Sequence, residues 1–219
     1  LGHPLLPADA RVANDVQLGP PGTFLLVTGS NMAGKSTLLR SIGVNVVLAQ
    51  AGAPACAAHL VMPPVDLWTS MRVQDSLAQG VSFFMAELRR LKQIVDAAAA
   101  DVRPSSDPRR ADEGGAERRL LYLLDEILQG TNIAERQIAA RRIIRLLVAR
   151  GALGAVSTHD LTLADVDDLA RAARAVHFTE TVADDGSGPK MTFDYRLRPG
   201  IARSTNALRL LELVGLPSD

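Results

Sequence analysis

The feature that most limits what this chain can fold into is a run of eight residues near its start, Gly29-Ser30-Asn31-Met32-Ala33-Gly34-Lys35-Ser36. It matches the pattern G-x-x-x-x-G-K-[ST] and sits between two readable elements. Before it, Thr23 to Thr28 is a continuous apolar run of strand length, which predicts a strand buried on both faces. After it, Leu38, Leu39, Ile42 and Val46 share one face of a helix predicted from Lys35 to Ala51, with Gly52 ending it. Glycines let a backbone wrap a phosphate without Cβ clashes. Loop N–H groups and the following helix N-terminus then face the anion. Lys35 is expected to reach the β- and γ-phosphates of a nucleotide, and Ser36 to ligate Mg²⁺. A chance match in an ordinary glycine turn would lack this strand–loop–helix setting.

The second half of the chain supplies the complementary chemistry. Leu120 to Leu124 is an apolar strand that ends in Asp125-Glu126. In open α/β sheets, ligands bind at the edge where such strands end. Asp125 suits the outer shell of Mg²⁺, and Glu126 suits a base or water-orienting group for attack on a γ-phosphate. A further strand, Ala152 to Ser157, leads to Thr158-His159-Asp160. His159 there is placed to sense or polarise the same phosphate. Solvated acidic turns and surface histidines are the plain alternatives, and the glycine loop weighs against them.

Between these landmarks, strands and helices alternate. Strands are expected at Arg11–Val16, Val65–Val73, Ala175–Val182 and Met191–Leu197, and helices at Ser82–Ala100, Ile133–Arg150 and Thr205–Val214. This predicts one α/β domain over residues 1–219, with a mainly parallel sheet flanked by helices and a small antiparallel part. Residues 101–119, rich in Pro, Ser, Gly and charge, are expected to form a solvated, mobile loop.

Composition narrows the partners. Lys+Arg and Asp+Glu both count 24, so the basic excess usual in a DNA-gripping module is absent. A single cysteine, Cys56 in a small apolar setting, excludes an internal disulfide and fits a reducing cytoplasm. No apolar stretch is long enough for a transmembrane helix. The chain begins at Leu1 and reads as a fragment of a longer protein.

The motifs together resemble the ATPase domain of the MutS family of DNA mismatch-repair proteins. Thr28 to Thr37 is similar to its nucleotide loop, with Asn31-Met32 ahead of Gly34-Lys35-Ser36-Thr37. Asp125 to Asn132 is similar to its Asp-Glu-x-x-x-Gly-Thr segment, and Ser157-Thr158-His159 to its Thr-His switch. His3-Pro4 resembles the motif that opens the domain, and Pro199-Gly200 through Gly215-Leu216-Pro217 the segment that closes it. The resemblance implies an ABC-type P-loop ATPase fold that binds ATP and Mg²⁺ across Gly29 to Thr37. It implies a head-to-tail homodimer whose composite sites each take a residue from the partner. Asp75 to Phe84 resembles the segment acting in trans, so Ser82 would touch the other subunit's γ-phosphate, whether or not it also caps a helix. His177 falls where the family stacks a histidine on adenine, Arg11 where an aromatic often covers the other face, and Asn14 in the same pocket.

Departures from the family pattern are Ala33 for Gly, Phe83 for Thr, a short stretch between Arg72 and Gly80, and Ile127-Leu128-Gln129. They indicate a divergent paralogue. The implied function is ATP hydrolysis driving dimer closure of a protein that holds DNA through domains outside this chain. An ATP-gated DNA-binding switch with little turnover is the second reading. Another ABC-class head, SMC-like or a transporter subunit, is the third, and the missing Leu-Ser-Gly-Gly-Gln signature argues against it.

Overall fold

The computed structural model describes residues 1–71, 83–101, 118–128, 132–164, 167–184 and 189–202. The elements run β1 (Phe24–Thr28), α1 (Lys35–Gln50), β2 (Val65–Ser70), α2 (Phe83–Asp101), β3 (Arg119–Asp125) and α3 (Ile133–Ala149). There follow β4 (Leu153–Ser157), a 3₁₀ turn (Leu161–Ala164), α4 (Asp167–Ala172), β5 (Ala173–His177), β6 (Glu180–Asp184), β7 (Pro189–Phe193) and β8 (Arg198–Pro199).

The apolar runs form strands covered on both faces. Along β1, Phe24 and Leu26 enter one core while Leu25 and Val27 enter the other. Along β3, Leu120, Tyr122 and Leu124 alternate in the same way with Leu121 and Leu123. The main sheet has the order β2-β3-β4-β1-β5-β8. Its first five strands in that order are parallel, and β8 closes the edge antiparallel to β5. Helix α1 covers one face through Leu38, Leu39, Ile42 and Val46. Helices α2, α3 and α4 cover the other through Leu91, Ile94, Ile144 and Leu169. Gly154 of β4 is needed for this packing, because a Cβ there would lie 2.3 Å from the Tyr122 ring. Among the described residues no helix is long and apolar enough to cross a membrane.

Every parallel crossover delivers its strand end to one edge. Gly29, Glu126 and Thr158 therefore follow β1, β3 and β4 side by side, at the carboxyl edge where such sheets bind ligands. The two helix starts nearby differ. Asn132 caps α3 by accepting from the Glu135 N–H at 2.9 Å. Helix α1 starts at Gly34, with φ 108° and no side-chain cap, so its first N–H groups face outward unclaimed by a capping side chain.

Three strand expectations are corrected. Residues 11–16 form no strand. The span 175–182 is split: β5 ends at His177, and the chain then crosses the glycine loop before β6 starts a separate hairpin with β7. The crossing is fixed by the Phe178 N–H donating to Thr28 O at 3.1 Å and by burial of the Phe178 ring. The span 191–197 stops being a strand at Phe193, because Tyr195 takes a left-handed backbone with φ 55°. The expected helix at 205–214, the closing segment after 202, Ser82 with residues 75–81, and residues 102–117 of the expected loop lie outside the described residues.

Candidate functional site

Lys35, the first residue of α1, is only 4% exposed, yet its ammonium is surrounded by oxygen and nitrogen acceptors. Its Nζ donates to Gly29 O at 3.0 Å and Ser30 O at 2.9 Å. It lies 3.3 Å from Glu126 Oε1 and 3.2 Å from His159 Nε2. Burial pulls the Lys35 pKa below its ordinary value, while Glu126, Asp125 and Glu180 push it back up. A lysine is almost never so covered unless its charge is paired, and here Glu126 and the loop carbonyls pair it. Gly29 has φ 136°, and a Cβ on it would sit 2.8 Å from Phe178 O, so this turn of the loop requires glycine.

Beside it, Ser36 Oγ donates to Asp125 Oδ1 at 3.0 Å, and Ser157 Oγ donates to the same oxygen. Two hard oxygens, Ser36 Oγ and the Asp125 carboxylate, are thus adjacent, a donor pair suited to Mg²⁺ with water completing the shell. Glu126 follows with φ 49°, and the turn carries its carboxylate back over the strand ends. Its Oε1 stands 2.7 Å from His159 Nε2. The hydrogen bond from His159 first, then the charges of His159 and Lys35, hold its pKa at about 2 against burial. Asn31 Oδ1 meets the same His159 nitrogen at 2.8 Å, and Ser30 Oγ donates to Glu180 Oε2 at 2.9 Å. Lys35, Ser36, Asp125, Glu126 and His159, widely separated in sequence, therefore form one constellation.

A cleft of about 1120 Å³ runs outward from it, lined by Asn31, Met32, Gly34, Lys35, Ser36 and Thr37 on the loop side. Val12, Asn14 and Tyr195 also line it. Ala33 is buried beneath the loop at 1% exposure. Asn14, expected in a nucleotide pocket, lines this cleft and ties two segments together. Its Nδ2 donates to Tyr195 O at 3.0 Å, and its Oδ1 accepts from Leu197 N at 2.7 Å. These two bonds help hold the left-handed turn that sets Tyr195 over Gly34, within 3.4 Å of a Cβ built there.

Two expected residues make contacts outside this constellation. The Arg11 guanidinium donates to Cys56 Sγ at 2.8 Å and Leu6 O at 2.6 Å. His177 ends β5 with Nδ1 3.1 Å from Gly200 O. Sequence reasoning missed Tyr195, Phe178, Glu180 and Glu87. The one faint signal for Tyr195 was Asp194, two residues before Arg196, whose N–H it accepts at 3.0 Å in a turn of the Asx type.

Comparison with known proteins places this geometry. Residues 25–102 match the family model described as MutS domain V. The chain is 35% identical over 212 residues to "DNA mismatch repair protein MutS 2" of Halobacterium salinarum, covering 94% of this chain and 22% of that protein. It is 30% identical to "DNA mismatch repair protein MSH6" of Arabidopsis thaliana, covering 99% and 16%. It is 29% identical to "Endonuclease MutS2" of Thermomicrobium roseum, covering 99% and 25%. The chain thus spans a quarter or less of the length of each of these relatives. On this shared sequence the chain belongs to the MutS family.

Proposed function

We propose that the chain is an ABC-type P-loop ATPase domain that binds and hydrolyses Mg-ATP, and that its cycle drives dimer closure of a MutS-like protein working in DNA mismatch repair. The observation that carries this reading is the buried Lys35 ammonium, held between the glycine-loop carbonyls, Glu126 and His159, with Ser36 and Asp125 alongside.

The residues present fit the substrate and its metal. The turn at Gly29 tolerates no side chain, the start of α1 is uncapped, and Ser36 with Asp125 offers hard oxygens. Mg-ATP bound there supplies a phosphoryl group whose charge the metal helps to neutralise. Lys35 exchanges its carbonyl contacts for phosphate oxygens. Ser36 and Asp125 hold the metal side. Glu126 orients a water for in-line attack, and His159, shared between Glu126 and Asn31, registers the γ-phosphate end. Tyr195, 44% exposed and lining the cleft, offers its ring to the base. Stacking of this kind is worth about 1–3 kcal/mol per base.

Ser82 would complete the partner's site in a homodimer, and DNA would be held by parts of the longer relatives that this chain does not match.

Equilibrium binding of Mg-ATP to Lys35→Ala tests the proposal. Loss of detectable binding is expected, and an affinity equal to that of the unmutated chain would sink the P-loop assignment.

A further inference from the structure

We propose that Glu87 is a positioning residue of this site: from α2 it pins the left-handed loop that carries Glu126, and so sets where the Glu126 carboxylate stands. The inference rests on the ATPase reading above.

The loop after β3 is an expensive piece of backbone. Glu126 has φ 49° and Leu128 φ 63°, and neither is glycine. Residues in such regions are strained and persist only where their surroundings over-determine them. Among the described residues, two backbone N–H groups fasten this loop. The Glu126 N–H donates to Ser157 O at 3.1 Å, which ties the loop to β4. The Leu128 N–H donates to Glu87 Oε1 at 2.7 Å, which ties it to α2. The second tie is a side-chain carboxylate, and it is deeply covered: Glu87 is 4% exposed and Leu128 0%. An acceptor for a buried N–H here need not be charged. An ionisable one is costly, because burial pushes the Glu87 carboxyl up while the Leu128 N–H pulls it down.

The other carboxylate oxygen marks the direction of the residue. Glu87 Oε2 is buried and has no hydrogen-bond partner among the described residues. The residue lines the same cleft as Lys35, Ser36, Asp125 and Glu126. Glu87 therefore lines the cleft with one oxygen on the loop and the other buried without a partner among the described residues. Helix α2 does not depend on it for its seat, since Leu91, Ile94 and Ala98 anchor the helix in the core. Removing the carboxylate should leave α2 packed and free the loop, which separates placement of Glu126 from support of the fold. Displacing a catalytic group by about 1 Å can cost on the order of 10²-fold in rate.

The test compares Glu87→Met, which fills the space without an acceptor, with Glu87→Gln, which keeps one for Leu128, both in the full chain. Three quantities are read: kcat for ATP, the Kd for a non-hydrolysable Mg-ATP analogue, and the Tm. The expected result is a roughly 10- to 100-fold fall in kcat for Glu87→Met, with the analogue Kd within about threefold of the unmutated chain, and recovery of kcat in Glu87→Gln. A wild-type kcat in Glu87→Met overturns the proposal. So does joint loss of kcat, analogue binding and Tm, which marks Glu87 as a support of the fold. Failure of Glu87→Gln to recover overturns the acceptor role. If the unmutated chain binds no ATP, the ATPase reading fails first, and that result is read before any variant is made.

Discussion

The two ends of the cleft are built in different ways. At the end proposed for the phosphates, each candidate group stands at the end of a buried parallel strand: Gly29 to Ser36 after β1, Asp125 and Glu126 after β3, His159 after β4. At the end proposed for the base, the walls are the irregular segments around residues 10–14 and 194–197, fastened to each other by side chains such as Asn14. The phosphate end is placed by the sheet, and the sheet is placed by alternating apolar residues in two cores. The base end is placed by a few polar contacts and a left-handed tyrosine. Geometry set by a core is hard to perturb from outside, whereas geometry set by two or three hydrogen bonds is open to substitution.

That contrast can be sharpened by experiment. The largest effect is expected at the phosphate end, where Lys35→Ala should remove Mg-ATP binding altogether. At the base end, Tyr195→Ala is expected to weaken Mg-ATP binding by roughly 10-fold, the size of one lost stacking contact. Calorimetry reads this directly, and an unchanged Kd would take the base away from Tyr195. His177→Ala, whose side chain faces Gly200 O, should shift the same Kd by no more than about twofold. A 10-fold loss there would return the base platform to His177.

Acid stability separates the two ends in another way. Glu126 and Asp194 are both held at about 2, Glu126 chiefly by the His159 hydrogen bond and Asp194 chiefly by that of Arg198. A carboxylate whose folded value lies below its unfolded one stabilises fully above the unfolded value and loses that contribution as pH falls through the folded one. For Glu126 the window runs from about pH 4.5 down to 2. Its contribution is at most about 3 kcal/mol before solvent screening. Asp194, with its side chain 40% exposed, contributes much less for the same direction of shift. Urea midpoints followed across this window should lose most of their pH slope in Glu126→Gln and little in Asp194→Asn. Equal slopes would mean that the buried constellation does not stabilise the fold.

The same contrast explains what the sequence makes legible. The strands at 24–28, 119–125 and 153–157 are dense apolar runs with turn residues after them, and periodicity alone finds them and the groups they deliver. Arg11–Val16 has a strand's composition yet packs as an irregular wall, because its neighbours are loops and it pairs with no strand among the described residues. The break after His177 depends on Phe178 crossing Gly29, a contact between residues far apart in sequence. Tyr195 needs a left-handed backbone, which nothing in its own residue type announces. Glu87 reads as one polar position on an amphipathic helix, and only the fold shows that Leu128 reaches it.

The division of labour proposed for the phosphate end is central: in this reading the glycine loop and Lys35 bind the nucleotide, and Glu126 acts on it. Glu126→Gln, assayed in one preparation for both Mg-ATP binding and hydrolysis, tests this most directly. Binding close to that of the unmutated chain is expected, with turnover reduced on the order of 10²-fold or more. Turnover at the unmutated rate would remove Glu126 from the chemistry, and loss of ATP binding together with turnover would contradict the separate roles of Lys35 and Glu126.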